Sequence, residues 1–398
     1  MKTTNIPRVV WVLGLVSLWM DLSSEMIHSL LPMFLKSELG VSFVMLGLIE
    51  GIAEGTAAIS KVFSGVLSDR FGRRPVILSG LAIYVLASIG CAFAAEAGQL
   101  VLLRFLQGLA ACGGVVLART MVRDLAEKDQ AARAMSLMMA CTSIAPMLAP
   151  LIGGQVLWFL GWRAIFWVLA MVGVIALVAA WLRLPETLRP EYRQPLVLSS
   201  ILKRFGELVR HRAFMGYAFT STFQFSALMS FLSGSPFVFI EKYGIAPRAY
   251  GLIFGGMVVF MTLGSLLNAK FAPVFGASRI LRYAVIVPAI VGPTALVLGF
   301  IEARYGTIGL WPFLLCFAPQ IATISLIGPN SMAMALQRYP HMAGTASSLM
   351  GVMQFGIGAI FGAVVGQTFD GTIAPMTTAM GIAGALCLVS HRALVRRG

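Results

Sequence analysis

Charged residues are scarce in this sequence of 398 residues: Asp, Glu, Lys and Arg make up 12%, whereas hydrophobic residues make up 58%. Soluble domains contain about 25% charged and about 45–50% apolar residues. A soluble fold cannot cover so much apolar surface with so few charges, so lipid must be the solvent for most of the chain. The composition therefore excludes a disordered chain, a collagen and a soluble enzyme.

Cysteine is also rare, and catalytic motifs are missing. The 5 cysteines lie within apolar runs, without the paired spacing of a disulfide framework or a zinc site. The sequence has no phosphate-binding glycine loop, no His-Glu-x-x-His pair and no nucleophile beside a base. We therefore expect no catalytic residues, no metal and no cofactor, and the sequence argues against an ATP-driven pump.

Long apolar runs are what the sequence has instead of charge. A membrane helix needs about 20 mostly apolar residues, and the chain divides into twelve such runs. Acids follow the first run where a signal peptide needs a small-residue cleavage site, so we expect that run to be retained as a span. The predicted spans are 9–33, 43–67, 75–95, 99–121, 134–159, 163–184, 213–239, 248–271, 279–301, 307–337, 342–367 and 373–391.

One long polar stretch, 185–212, divides these spans into six and six. It contains LSSILKRFGELVRHR, whose apolar and basic spacing is typical of a helix lying on a membrane surface. We therefore expect an all-α membrane protein with a six-helix bundle at 1–184, a cytoplasmic linker with an interfacial helix at 185–212, and a second six-helix bundle at 213–398. A weak repeat supports two halves: GVLSDRFGRRP after the second span corresponds to GSLLNAKFAPVFGASR in the second half.

The net charge of +14 orients the chain in the membrane. With a cytoplasmic N-terminus, most of the 30 Lys and Arg residues fall in segments that face the cytoplasm. The positive-inside rule therefore predicts that both termini are cytoplasmic. This distribution accounts for the basic residues, so no nucleic-acid partner is needed. The basic residues predicted to lie outside are Lys36, Arg163, Lys242, Arg248 and Arg304.

The loop GVLSDRFGRRPV is the most specific stretch of the sequence. It resembles the loop signature of the major facilitator superfamily between its second and third helices. The resemblance implies the major facilitator fold and a loop that latches its two halves together on the cytoplasmic side, where an acid can meet an arginine or a helix N-terminus. A basic anchoring loop is the structural alternative. The implied gate residues are Gly65, Asp69, Arg70, Gly72, Arg73 and Arg74.

Two motifs in the first half resemble those of exporters in this family. RFLQG (104–108) is similar to the family's arginine motif, and APMLAPLIGG (145–154) to its antiporter motif. Pro146 and Pro150 remove backbone donors, while Gly153 and Gly154 permit close packing, so we expect a bent, tightly packed helix. A merely structural kink is the alternative.

Two stretches of the second half narrow the resemblance to one branch. SPFVFIEKYGIAPRAYGLIFG (235–256) and GPNSMAMALQRYPHMAGTASSLMGVMQFGIGAI (328–360) resemble the bicyclomycin and chloramphenicol resistance branch of the drug:proton antiporters. From Leu67 to Arg397 the resemblance is close. Residues 1–66 resemble another major facilitator branch.

Ionisable residues within the predicted spans are candidates for proton coupling, because charge in a membrane is unfavourable unless it is paired or hydrated. Asp21 and Glu25 are four residues apart and share a helix face, and Glu50 and Glu54 repeat this spacing. The resemblance places the first and fourth helices beside a central cavity, where Glu25 and Arg104 can meet. We expect these acids to exchange protons; a permanent ion pair that fixes helix packing is the alternative.

The substrate cavity is expected to be mostly aromatic with few polar anchors, which suits a large, partly apolar molecule. The resemblance then implies a proton-coupled exporter of amphiphilic antibiotics, monomeric among lipids of the bacterial inner membrane. The alternatives are a proton-coupled symporter or exporter of a polar metabolite or ion, and a membrane receptor or enzyme. The candidate cavity residues are Trp19, Cys112, Phe223, Gln224, Gln354 and Phe355.

Overall fold

The structure, a computed structural model, describes residues 67–125, 159–188, 198–306, 309–337 and 342–395, with isolated positions at 13–14, 16, 56, 60, 64, 152–153, 155–156, 191 and 339. The described residues are helical or lie in short connections, and they include no β-strand. They belong to two compact units. The described residues up to 188 belong to the first unit and those from 198 onward to the second.

Eight helical segments in the described ranges are long and apolar enough to cross a membrane. The first unit contains α1 (Arg73–Phe93), α2 (Ala97–Leu125) and α3 (Trp162–Arg183). The second unit contains α4 (Leu198–Arg210), α5 (Arg212–Pro236), α6 (Pro247–Phe275), α7 (Ala277–Ala284), α8 (Ile286–Tyr305), α9 (Leu310–Gln337), α10 (Ala343–Thr368) and α11 (Ala374–Ser390).

The predicted spans within the described ranges coincide with these helices to within a few residues. Spans 75–95, 99–121 and 163–184 correspond to α1, α2 and α3, and the spans between 213 and 391 correspond to α5 and α6 to α11. Apolar runs of this length favour helices because lipid cannot hydrogen-bond to an open backbone. The predicted spans 9–33, 43–67 and 134–159 lie wholly or mostly outside the described residues.

Prolines account for two departures from uninterrupted helices. The predicted span 279–301 is divided at Val285 into α7 and α8. Pro288, in the first turn of α8, has no N–H to donate to the carbonyl of Ala284. At Pro236 the α-helical hydrogen bonding of α5 gives way to a π-helical turn, Phe237–Lys242. A proline at this junction lacks the donor that would continue the α-helix.

Small residues bring helices close together in both units. A Cβ atom built on Gly80 of α1 would lie 3.1 Å from the Ala110 carbonyl oxygen of α2. In the second unit, a Cβ atom on Gly264 of α6 would clash with the Ala322 carbonyl of α9. Such contacts are typical of membrane helices, which associate by packing rather than by hydrophobic burial. The outer faces carry exposed apolar side chains such as Leu86 and Trp181, as expected for contact with lipid.

Candidate functional site

An ion pair joins two of the predicted gate residues across the start of α1. The Asp69 carboxylate lies 3.7 Å from the Arg73 guanidinium, one helical turn away. Gly72 has a φ of 101°, a left-handed conformation that glycine adopts without strain, and α1 begins at the next residue. The Arg74 guanidinium donates to the Trp181 carbonyl of α3 at 2.9 Å. The start of α1 therefore bonds both to the end of α3 and to the residues that precede it.

Glu186, three residues after the end of α3, caps the start of α1. Its carboxylate accepts hydrogen bonds from the backbone N–H groups of Arg73, at 3.0 Å, and Arg74, at 3.2 Å. These amides have no acceptor within their own helix, and the positive end of the helix dipole favours a carboxylate. No motif of the sequence indicated Glu186. The available signal was an acid two residues after the sixth predicted span.

Arg104 is a buried cation in the described part of the first unit, with 4% of its surface exposed. Its guanidinium donates to Gln107 Oε1 at 2.6 Å, and Gln107 Nε2 donates to Ser88 Oγ of α1 at 2.7 Å. The Ser88 hydroxyl in turn donates to the Tyr84 carbonyl at 2.8 Å. A chain of polar groups thus orients Arg104 between two helices. Gln107 follows Arg104 by three residues, and side chains at this spacing are neighbours on a helix surface. This spacing was the sequence signal for the contact between Arg104 and Gln107.

A buried amide cluster joins α5 to α9 in the second unit. Gln224 is 1% exposed, and its Nε2 donates to the Gln320 carbonyl at 3.0 Å and to Thr323 Oγ1 at 3.1 Å. The side-chain oxygen of Gln224 and both amide atoms of Gln320 are buried without a hydrogen-bond partner. Buried amides that keep free donors and acceptors can hydrogen-bond a polar group that reaches them. Gln320 and Thr323 were missed by the sequence analysis, although both are polar residues in an apolar span.

The predicted aromatic residues of the cavity lie in two separate contacts. The rings of Phe225 and Phe355 meet edge to face with centroids 4.9 Å apart, which joins α5 to α10. Phe223 instead stacks on Phe219 at 5.8 Å and lies 6.5 Å from Phe361. Phe223 and Phe355 therefore make ring contacts with different partners.

A buried ion pair lies where three helical segments of the second unit end or begin. Lys242, at the end of the π-helical turn, pairs with Glu302 in the last turn of α8. The side chain of Glu302 is 2% exposed and that of Lys242 is 19% exposed. The Glu302 carboxylate also accepts from the Ile373 N–H, at the start of α11. Burial, together with the Glu302 charge, raises the pKa of the neighbouring Tyr243 to about 12, so this tyrosine stays neutral.

The helical architecture agrees with a family-wide comparison of the sequence. The sequence model of the Major Facilitator Superfamily matches residues 13–392. The chain belongs to the Major Facilitator Superfamily. This membership confirms the predicted fold. Because the members of this family are transporters, the protein is a transporter and not an enzyme.

Relatives of this major facilitator include proteins named for drug resistance. The bicyclomycin resistance protein homolog of Haemophilus influenzae is 34% identical over 340 residues, which are 85% of this chain and 84% of that protein. Multidrug resistance protein D of Escherichia coli is 29% identical over 339 residues, covering 83% and 82% of the two chains. These relatives confirm the branch that the second-half motifs indicated. The separate resemblance of residues 1–66 stays a prediction.

A solved structure supports the same fold at low sequence identity. The D-xylose–proton symporter superposes with a TM-score of 0.74 at 16% identity, covering 97% of each chain. At this identity the likeness concerns the fold alone. This major facilitator is therefore a multi-pass membrane protein that transports small molecules.

Several predicted site residues of this major facilitator lie in parts of the chain that the structure does not describe. The structure shows Gly153 in a helix and Cys112 in α2, and Gln354 is half-buried in α10. The contact between Glu25 and Arg104 and the bend of the antiporter motif therefore stay predictions. The residues outside the described positions are Trp19, Asp21, Glu25, Glu50, Glu54, Gly65, Pro146, Pro150 and Gly154.

Proposed function

We propose that the protein exports amphiphilic antibiotics of the phenicol or bicyclomycin type in exchange for protons. The observation that carries this proposal is the 34% identity to a bicyclomycin resistance protein homolog across 85% of the chain. In this proposal, the two halves of the protein expose the substrate alternately to the two sides of the membrane. The acids of the first two spans suggested an alternative, proton symport of a polar metabolite. Relatives that are named for drug resistance do not favour this alternative.

The chemistry of the second unit supports a neutral, amphiphilic substrate. The acids of residues 198–398 are Glu207, Glu241, Glu302 and Asp370, and each lies in the surface helix α4, at the end of a span or in a connection. The interior of the unit offers the amides of Gln224 and Gln320 and aromatic rings instead. Such surfaces accommodate apolar bodies of different shape and fix a few polar groups by hydrogen bonds.

Proton exchange is assigned to the acids of the first half. Asp21 and Glu25 carry the protons, and Arg104 lowers the affinity of a nearby carboxylate for its proton whenever the two approach. The buried, hydrogen-bonded position of Arg104 supports this role, because a cation held in a membrane protein is stable beside an acid or water. Glu50 and Glu54 are secondary candidates.

The loop containing Asp69, Arg73 and Arg74 is assigned the role of a gate at the cytoplasmic side. Two contacts support a rigid structure here: the bonds to Glu186 link the start of α1 to the segment after α3, and the ion pair links Asp69 to the first residue of α1. The protein spans the bacterial inner membrane with both termini in the cytoplasm, works as a monomer among lipids and needs no cofactor. The excess of Lys and Arg in the predicted cytoplasmic segments supports this orientation.

A resistance screen combined with a proton assay tests the proposed function. The chain is expressed in a bacterium that lacks its main exporters, and growth is measured with phenicols, bicyclomycin, quaternary cations and metal oxyanions. We expect resistance to at least one amphiphilic antibiotic. In inverted vesicles holding a pH gradient, that same drug should release protons, reported by an acridine dye. Sensitivity to every drug, or uptake of a metabolite together with protons, would overturn the proposal.

A further inference from the structure

An apolar cavity of about 500 Å³ opens on the side of the second unit. Phe271 and Phe275 of α6, Tyr283 of α7, Val287 of α8 and Leu326 of α9 line it. The cavity reaches the surface because Phe275 and Tyr283 are exposed, the latter by 64%. Its walls are therefore those of a groove between membrane helices rather than those of a sealed core.

The surface around this groove has the composition of a lipid-facing surface. On α6 the side chains of Leu266, Leu267 and Val274 are exposed, and on α8 that of Ile290 is exposed. Large apolar side chains exposed on spans of this kind face hydrocarbon rather than water. An apolar groove that opens on such a surface is accessible to an acyl chain.

Cations lie at the groove where α6 ends and α7 begins. Arg279 lines the cavity itself. The Lys270 ammonium lies 5.8 Å from the centre of the Phe271 ring, another wall of the cavity. Arg282, one turn after Arg279, is exposed on α7. An apolar groove with a basic rim is complementary to a molecule with an apolar chain and an anionic head.

The described residues that line the groove include no Asp or Glu. The sequence has no Asp or Glu between Lys242 and Glu302, a stretch that includes all of α6 and α7, and α9 has none either. Across the part of the chain that the structure describes, Lys270, Arg279 and Arg282 form no ion pair. Basic groups that lie without acids near a membrane surface attract anionic lipid headgroups.

We infer that this groove binds an anionic phospholipid, with one acyl chain in the cavity and the phosphate on Arg279, flanked by Lys270 and Arg282. The inference rests on the proposed topology, in which the junction of α6 and α7 lies at the cytoplasmic surface of the membrane. Thr323, which is 3% exposed, also lines the cavity, and its hydroxyl accepts from Gln224 and donates to the Gln320 carbonyl. The lipid chain therefore packs beside the amide cluster of α5 and α9.

Lipid binding to the full-length protein tests this site without any drug or pH gradient. The purified protein is titrated in detergent with palmitoyl-oleoyl phosphatidylglycerol and with the phosphatidylcholine of the same chains, and bound lipid is counted by native mass spectrometry. We expect preference for phosphatidylglycerol. Arg279→Gln should weaken its binding about five-fold and leave phosphatidylcholine unchanged, because each cation near an anionic membrane contributes about that factor.

Two further variants distinguish the contribution of the lipid headgroup to binding from that of the acyl chain. Val287→Trp fills the cavity and should weaken both lipids, whereas Arg304→Gln removes an exposed cation at the opposite end of α8 and should weaken neither. An unchanged thermal unfolding temperature shows that each variant is folded. Addition of inorganic phosphate should not displace the phospholipid, because phosphate has no chain to occupy the groove.

Several results would overturn the lipid site. Equal binding of the two lipids by the wild-type protein would remove the role of charge, and equal effects of Arg279→Gln and Arg304→Gln would remove the specific location. Displacement of the lipid by an exported antibiotic would assign the cavity to the transport substrate instead. Because binding is measured without transport, failure of the proposed drug export would leave these results unaffected.

Discussion

Glu186 holds two backbone amides of α1 with one carboxylate. A hydrogen bond to a charged acceptor is about twice as strong as one between neutral groups, and the helix dipole adds to it. The same carboxylate accepts from the backbone N–H of Leu188, two residues further along, at 2.9 Å, which orders the chain leaving α3. One side chain thereby ties the loop containing Asp69 and Arg73 to the end of the sixth span.

Replacement of this carboxylate should loosen the start of α1. Glu186→Gln keeps an acceptor but removes the charge, so we expect a loss of about 1–2 kcal/mol and a thermal unfolding temperature in detergent lower by roughly 2–5 °C. Glu191→Gln, an exposed acid in the same connecting segment, is the matched control and should have no effect. Equal shifts in the two variants would show that the cap does not carry this stability.

At the scale of helices, the pair of Lys242 and Glu302 fixes the positions of three segments relative to one another. It connects the π-helical turn after α5 to the last turn of α8, and Glu302 also accepts from the amide that begins α11. Removing one partner of a buried pair leaves an uncompensated charge, which typically costs about 3–5 kcal/mol. The two residues differ in exposure, so the two single replacements should not be equal.

We expect Lys242→Met to destabilise the protein more than Glu302→Gln. Loss of the lysine leaves a carboxylate that is almost fully buried, whereas loss of the acid leaves an ammonium that already reaches solvent in part. The double variant should recover part of the loss, because neither charge then stays unpaired. Thermal unfolding of the purified protein measures all three, with Arg304→Gln as a surface-charge control. The reverse order of the single variants would contradict this account.

At the scale of the whole molecule, the two halves differ in where their charges lie. Acids occur within the predicted spans of the first half, at Asp21, Glu25, Glu50 and Glu54, whereas the second half keeps its acids at span ends and in surface segments. Residues that titrate inside a membrane usually mark an ion or proton pathway. We therefore propose that the first half carries the protons and that the second half provides a neutral interior for the substrate.

Neutral replacements of the proton carriers should separate coupling from transport. In proteoliposomes, Asp21→Asn and Glu25→Gln should abolish drug accumulation driven by a pH gradient while keeping exchange of labelled for unlabelled drug, which needs no net proton movement. Both variants should express normally. Glu207→Gln, an exposed acid on α4, is the control and should keep both activities. Full gradient-driven accumulation in the two span variants would exclude these acids as the carriers.

The sequence predicted the helices well and the site contacts incompletely. Apolar runs end where polar residues return, so the bounds of α1, α3 and α10 follow from the sequence to within a few residues. The capping role of Glu186 was missed because its partners Arg73 and Arg74 lie more than 100 residues away. Likewise, the pairing of Gln224 with Gln320 and Thr323 depends on which faces of α5 and α9 meet, and hydropathy does not specify this.

Composition and the order of apolar and basic segments by themselves determined that this chain crosses a membrane, and short motifs determined its family. These properties are local, because each span must satisfy its own backbone hydrogen bonds in lipid. Tertiary structure alone decided that Glu302 reaches Lys242 and the start of α11, that Glu186 caps α1, and that the α6–α9 region encloses a groove beside Arg279. Such contacts arise from the packing of distant helices, whose rotation and depth are set by their neighbours rather than by their own residues.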